Sequence, residues 1–292
     1  MRLALEVIAA GVALFFLVIG GYGFFSFLLA RAHTPERALL PTLREYLRES
    51  FLASLTQPLM PLYYVYGHRM APGTSVPIVF VHGYMQNRVG FVGLARLLAR
   101  RGLGPMYALN YPWWSSIPKN ARRLEDYVTR VCEETKSSAV DLVCHSMGGL
   151  VAMEMMRSAA RKEDLKVRRC VTIATPHAGI AWRGPIIGSD AASLRRGSKL
   201  LEAQAGYTVA VPTLSVFSAH DNIVHPKETS SLAKRGGEDF EIANMAHFSI
   251  LFSPVVADQI AAFLSKPDRA PEIQEIQEVE EEIQHEPEAA RV

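Results

Sequence analysis

The chain has little cysteine, and none of it is arranged as a scaffold. Cys132, Cys144 and Cys170 are the three cysteines among 292 residues. An odd number, with Cys144 and Cys170 inside apolar runs, predicts buried thiols and excludes a disulfide framework. No Cys-x-x-Cys pair and no Cys/His spacing of a zinc site occurs. Both absences fit a reducing compartment. A stripe of positive charge is also missing. Bases such as Arg96, Arg100, Arg101, Arg122, Arg123, Arg161 and Lys162 scatter through helix-like stretches, so nucleic acid is not an expected partner.

The net charge of +2 hides an asymmetry. Residues 266–292 hold nine acids and three bases. Of 31 basic and 29 acidic residues, 28 and 20 therefore lie ahead of residue 266, a local excess of +8. That excess reads either as solvated surface or as attraction to anionic lipid. The tail itself has no aromatic residue from 270 onward and repeats a Glu-Ile-Gln theme. Ile273, Ile276, Val279 and Ile283 recur at three- and four-residue intervals, so it is either a short amphipathic helix for a protein partner or a disordered acidic tail.

Charge is absent altogether from residue 7 to residue 30, where Leu, Val, Ile, Phe, Ala and Gly dominate. As a helix such a stretch crosses a hydrocarbon core of about 30 Å. Residues 1–31 are therefore expected to be an N-terminal membrane anchor. A cleaved signal peptide is the alternative, but its apolar region is normally about 7–15 residues. Arg31, Arg37, Arg44 and Arg48 follow the span and only Arg2 precedes it, which leans toward a catalytic domain on the cytoplasmic side.

After an approach segment, residues 32–75, a regular alternation begins. Short apolar runs at 77–81, 106–109, 140–144, 170–174, 213–218 and 240–243 read as strands. Periodic stretches at 91–101, 121–136, 149–161 and 255–264 read as helices. Alternation of this kind predicts an α/β fold, with a mostly parallel central sheet covered by helices on both faces. Ligands of such sheets collect at the carboxyl ends of the strands.

The residues found there are informative. Val143-Cys144-His145-Ser146-Met147-Gly148-Gly149 ends an apolar run at a serine followed by two glycines, as in the strand-turn-helix that presents a nucleophilic hydroxyl. The usual Gly-x-Ser-x-Gly has glycine where this chain has Cys144; a serine capping its helix is the plainer reading. Asp221 follows the run at 213–218, and His247 follows the run at 240–243. Ser146, Asp221 and His247 stand in the order Ser…Asp…His associated with this turn. A serine hydroxyl needs a base to take its proton, and a base needs a carboxylate to fix its tautomer. Asp190, Asp239 and Asp258 compete for the acid, and His177, His220 and His225 for the base. A metal site from His220, Asp221, His225 and His247 matches no standard ligand spacing. Neither a metal nor a cofactor is expected.

Val81-His82-Gly83-Tyr84, Cys144-His145-Ser146-Met147-Gly148-Gly149, Ala174-Thr175-Pro176-His177-Ala178-Gly179, Ser218-Ala219-His220-Asp221 and Ala246-His247-Phe248-Ser249 follow one another in the chain. The set resembles the successive motifs of bacterial α/β-hydrolase lipases and carboxylesterases, over residues 76–265. The resemblance implies an α/β-hydrolase fold beside the N-terminal transmembrane helix. It also implies Ser146 as nucleophile, Asp221 as acid, His247 as base, and the backbone N–H groups of Tyr84 and Met147 as the oxyanion hole. Cys144 departs from the pattern; a small residue there is expected to preserve the turn.

Residues 178–210 are too long for a plain connection and read as a lid or as a packed helical excursion. Tyr111-Pro112-Trp113-Trp114 lines an acyl pocket or belongs to the core. The expected function is a membrane-bound serine hydrolase acting on a carboxylic ester, with a lipid-like ester suiting the anchor. An acyltransferase or thioesterase on the same residues, and a non-catalytic membrane scaffold, are the alternatives.

Overall fold

The computed structural model describes residues 2–34, 38–65, 67–160, 164–182, 188 and 191–267. The acidic tail expected at 266–292 thus lies outside the described residues beyond Pro267, as do Asp190, Ile186 and Ile187.

Seven strands form one sheet: β1 (Arg69–Ala71), β2 (Ile78–Val81), β3 (Met106–Leu109), β4 (Val140–His145), β5 (Val167–Ile173), β6 (Thr213–Ser218) and β7 (Glu238–Ile242). Their order is β1-β3-β2-β4-β5-β6-β7. Only the edge pair β1–β3 is antiparallel; every other pair is parallel. The central strands are buried throughout because both faces are covered: all residues of β2, β3, β4 and β6 are buried. Alternate side chains serve the two faces. Val79, Val81, Leu142 and Cys144 pack under α4 (Ile117–Thr135) and α5 (Met147–Ala160). Ile78, Phe80 and Val143 pack under α3 (Val92–Ala99) and α7 (Pro254–Leu264).

The chain leaves β2 toward β3 on one side, then crosses to β4 on the other. That reversal opens a crevice at the carboxyl ends of β2 and β4, where α/β sheets bind ligands.

The elements differ from the pattern-based expectation mainly at their edges. β1, three residues within a Pro-rich stretch, is too short to carry an alternation. β5 begins at Val167, ahead of the apolar run, because Arg168 pairs through two hydrogen bonds with buried Asp141 of β4, at 2.9 and 2.6 Å. α4 begins at Ile117; Pro118 in its first turn lacks an N–H that no helical carbonyl would have received there. Within 178–210, α6 (Lys199–Ala205) is capped by Ser198, Leu194 and Leu201 are buried, and Gln204 donates to the Leu150 carbonyl at 3.0 Å. The later half of this excursion is therefore packed on α5.

Ahead of the sheet come α1 (Arg2–His33) and α2 (Leu39–Thr56). The stretch Leu5–His33 of α1, with mean hydropathy 2.3, is long and apolar enough to cross a membrane. Its buried residues, Gly23, Ser26, Phe27 and Ala30, recur at helical spacing and form one stripe. Gly23 lies where a Cβ would meet Tyr46 and Ser50 of α2 at 3.1 and 3.0 Å, and the Phe27 and Tyr46 rings meet edge-to-face at 5.9 Å. The two helices pack on each other as a hairpin and reach the loops after β6 and β7.

Candidate active site

Ser146 stands between the last residue of β4 and the first of α5, with a left-handed φ of 54°. A non-glycine residue there stores about 1–2 kcal/mol of strain, retained when the surroundings fix it. The Ser146 N–H donates to the Ile173 carbonyl at 2.8 Å, and its carbonyl accepts from Gly149 N–H at 3.0 Å. The turn also demands small neighbours. A Cβ on Gly148 would collide with the Val81 and His82 carbonyls, and one on Gly149 with Thr175. Cys144 is tolerated because its side chain points into the layer beneath α5, where the thiol hydrogen-bonds with Cys170 of β5. Burial first, and Cys170 second, push the Cys144 thiol well above its ordinary value, so it is a packing group here.

The loops after β6 and β7 bring two more side chains to this serine. Ser146 Oγ lies 3.0 Å from His247 Nε2, and His247 Nδ1 lies 2.9 Å from Asp221 Oδ2. All three residues lie inside the crevice, Ser146 and Asp221 buried and His247 nearly so. The other Asp221 oxygen accepts from the N–H groups of Ile223 and Val224 at 2.7 and 2.8 Å. Burial opposes the Asp221 charge, but His247 and these two donors outweigh it and hold the carboxyl below its usual range. Burial likewise opposes a charged His247. The Asp221 carboxylate, with Glu49 behind it, outweighs this too and lifts the imidazole above 6.5. The carboxylate fixes the tautomer: Nδ1–H donates to Asp221, leaving Nε2 to accept from the Ser146 hydroxyl.

Met147 is the first residue of α5, where backbone N–H groups lack intrahelical partners. Tyr84 follows Gly83, and a Cβ on Gly83 would come within 2.9 Å of the Ser146 Cβ, so this loop lies directly beside the serine. Trp113 meets the Tyr84 ring edge-to-face at 5.0 Å. The aromatic cluster divides: Tyr111 is buried and stacked on His82 at 4.1 Å, Trp113 reaches the site, and Trp114 is exposed.

The competing acids and bases are engaged elsewhere. Asp239 accepts from Ser231 and Leu232, and Asp258 pairs with Arg101 at 2.7 Å. His177 is bonded to Thr172 within β5 at 3.1 Å, and burial lowers its pKa to about 3. His220 lies 3.1 Å from the Asn244 N–H, and the His225 ring faces His33 of α1. His82 is neutral, its pKa lowered to about 4 by burial, with Nδ1 facing the Gly83 carbonyl. Among the described residues no cluster of three or more His, Cys, Asp or Glu side chains is arranged to hold a metal.

Four residues outside the sequence-derived set shape the site. Asn222 Oδ1 accepts from the His247 N–H at 2.9 Å, and Asn222 Nδ2 donates to Ser26 Oγ of α1 at 2.7 Å. Glu49 of α2 accepts from the Phe248 and Ser249 N–H groups at 2.8 and 2.7 Å. His145 faces the His247 carbonyl with Nε2 at 3.0 Å and Gln86 with Nδ1 at 2.9 Å. That ring is neutral, since burial, followed by the neighbouring His247, lowers its pKa to about 3. A neutral ring donates from one nitrogen only, to either the His247 carbonyl or Gln86 Oε1. Asn222 adjoins the acid and was within reach of the motif. Ser26 and Glu49 carried one signal only, a polar residue on the face of a helix otherwise rich in leucine or phenylalanine.

A parallel sheet whose switch point holds a hydroxyl, an imidazole and a carboxylate in hydrogen-bonded sequence is the frame of an α/β-type hydrolase. The model of the alpha/beta hydrolase family matches residues 78–270. The chain belongs to that family. Its fold is similar to a lipase B of Aspergillus fumigatus, with a TM-score of 0.59 at 16% identity, over 66% of this chain and 53% of that one. The match thus spans about half of the Aspergillus protein. A Bacillus licheniformis lipase in its mature form gives 0.55 at 16% identity, over 66% of this chain and 94% of that one. A monoacylglycerol lipase of Paleococcus ferrophilus gives 0.50 at 15% identity, over 67% and 97%.

Proposed function

We propose that the protein is a membrane-anchored serine hydrolase that cleaves carboxylic esters of lipid-like substrates through an acyl-enzyme on Ser146. The observation that carries this reading is the unbroken chain Ser146–His247–Asp221, at 3.0 and 2.9 Å, on a left-handed strand-to-helix turn. A serine that only capped its helix would need neither the imidazole nor the glycines around it.

In this reading His247 Nε2 takes the Ser146 proton as Oγ attacks the ester carbonyl. The negative oxygen of the tetrahedral intermediate sits between the Met147 and Tyr84 N–H groups, each such donor contributing about 3–4 kcal/mol. Asp221 stabilises the imidazolium, which passes its proton to the departing alcohol as the C–O bond breaks. Water then repeats the sequence on the acyl-serine, with His247 again as base, releasing the acid and restoring Ser146. No other group is needed.

The lipases among the structural neighbours make a lipid ester the substrate class to examine first. The anchor, residues 1–31, rests on the length and apolarity of α1. The arginines after it support a catalytic domain on the cytoplasmic side.

Hydrolysis of p-nitrophenyl esters of increasing chain length by the detergent-solubilised full chain tests the proposal. Activity on butyrate and longer esters, lost in Ser146→Ala by at least about a thousandfold, is the expected result. Equal rates for the two proteins would contradict it, and a strict preference for acetate would remove the lipid-like substrate.

A further inference from the structure

We propose that the outer face of the α1–α2 hairpin, carried by the leucines of α2, lies in the surface of the bilayer and seats the mouth of the Ser146 site against lipid. This rests on the membrane-anchored reading and goes beyond it, because it concerns a second helix. α2 is turned inside out. Its two buried residues are acids, Glu45 and Glu49, while Leu39, Leu43, Leu47, Phe51 and Leu55, four apart, are 52–68% exposed. A helix of a soluble domain buries such a stripe and exposes the acids. A helix lying in a membrane surface does the reverse where its polar side meets protein.

The occupant of this face is named by what adjoins it. α1, the spanning-length helix, is the helix packed on α2: Tyr46 of α2 donates to the Gly20 carbonyl at 3.2 Å and flanks Gly23 and Phe27. From Ala9 to Ile19, ahead of Gly20, α1 is exposed or half-buried, so lipid that covers this part continues onto the stripe. Exposed Arg44 adds a cation suited to anionic head groups. The same hairpin touches the site itself, through Ser26 to Asn222 and through Tyr22, which lies within electrostatic reach of Glu49, Asp221 and Tyr84. Lipid along the hairpin is therefore lipid at the edge of the crevice.

All three native thiols are buried, so one introduced cysteine can be labelled selectively with a polarity-sensitive nitrobenzoxadiazole fluorophore on the full chain. Leu47→Cys and Phe51→Cys, reconstituted in vesicles of phosphatidylcholine and phosphatidylglycerol, are compared with Arg122→Cys on exposed α4 surface and Leu14→Cys within α1. Labels at 47 and 51 are expected to be quenched severalfold more by nitroxide-bearing acyl chains than the label at 122, and to resist aqueous iodide. Iodide-quenched labels at 47 and 51, with lipid quenching at 14, would overturn the surface and leave the anchor standing. Loss of lipid quenching at 14 as well would sink the anchor. Labels at 47 and 51 shielded from both quenchers would show a second copy of the chain on this face and overturn the proposal too.

The inner face of α2 carries a separate inference: the geometry assigns Glu49 as a positioning residue for the catalytic imidazole. Each of its carboxylate oxygens accepts a backbone N–H, from the two residues that directly follow His247. Burial pushes the Glu49 carboxyl up, while the Phe248 and Ser249 N–H groups and His247 oppose this and favour the anion; with one oxygen on each N–H, it is the ionised form that clamps the loop. The groups facing it are His247 and Asp221 from the loops and Tyr22 from α1. Glu49→Gln keeps the shape, loses one acceptor and loses the charge. Hydrolysis by Glu49→Gln should show kcat reduced at least tenfold with KM little changed. The acidic limb of its pH profile should move to lower pH, because the anion now raises the pKa of His247. Glu49→Asp should restore part of the rate, and Glu49→Ala is the variant read if the glutamine form does not fold. An unaltered kcat and limb in Glu49→Gln, or in Glu49→Ala in its place, would overturn the assignment, whereas an active enzyme silenced by Ser146→Ala would show that the hydrolase reading itself stands.

Discussion

At the residue scale, the account turns on which of nine histidines titrates in the working range. His82, His145 and His177 are held neutral by burial. His247 is raised instead, since two carboxylates outweigh its desolvation. A base works deprotonated, so the sign is fixed: kcat/KM should rise with pH along one limb whose midpoint lies above 6.5. Asp221→Asn removes the larger of the two charges and should move that limb down while lowering the rate by about 10²–10⁴-fold. A pH–rate profile of both proteins checks it; an unshifted limb would separate His247 from the chemistry. The three hydrogen-bonded side chains of the candidate site were legible in the sequence because each stands just after an apolar run, where a parallel sheet collects its ligands. Glu49 and Ser26 were not. Their contacts join residues separated by 199 and 196 positions, and no local pattern encodes such a pairing.

At the scale of elements, the elbow between β4 and α5 shows why some glycines are replaceable and others are not. Gly148 and Gly149 face backbone and Thr175 at distances no side chain can occupy. The position of Cys144 faces a sheet layer with room for a thiol beside Cys170. Gly148→Ala should therefore cost about 1–3 kcal/mol of stability and displace the serine. A lowered urea midpoint together with a fall in kcat is the result to look for. Cys144→Gly, by contrast, should leave Ser146 in place and lose stability through the packing removed. Urea titration and rates on the two variants separate the cases. The strands and helices were read from periodicity with their centres right and their ends displaced. The ends are set by side-chain pairs such as Arg168 with Asp141, and by Pro118 at a helix start, which act against or outside the apolar pattern.

At the scale of the whole molecule, the two N-terminal helices are joined to the candidate site. α1 and α2 pack on each other, then reach the acid loop through Asn222 and the histidine loop through Glu49. Deleting residues 1–31 removes the span, so the protein should change from one extracted only by detergent to one held peripherally through α2. The same deletion removes Ser26, so the truncated protein should have a kcat lower by about tenfold at unchanged pH optimum, a cost to the geometry of the near-attack arrangement. Comparing the truncated and full chains in the same detergent measures this directly; equal kcat would mean that the helix serves attachment only. The sequence showed the apolar run and its length but could not show what its last third packs against. Burial of one stripe, Gly23, Ser26, Phe27 and Ala30, depends on surfaces such as α2 and the loop that carries Asn222.

The central claim is that Ser146 is a nucleophile activated by His247. Labelling of the full chain with a fluorophosphonate probe, followed by peptide mass mapping, tests it most directly. The account predicts one adduct, on Ser146, absent from Ser146→Ala and slowed at least about a hundredfold in His247→Ala. A folded protein that takes no label, or takes it on another residue, would contradict it.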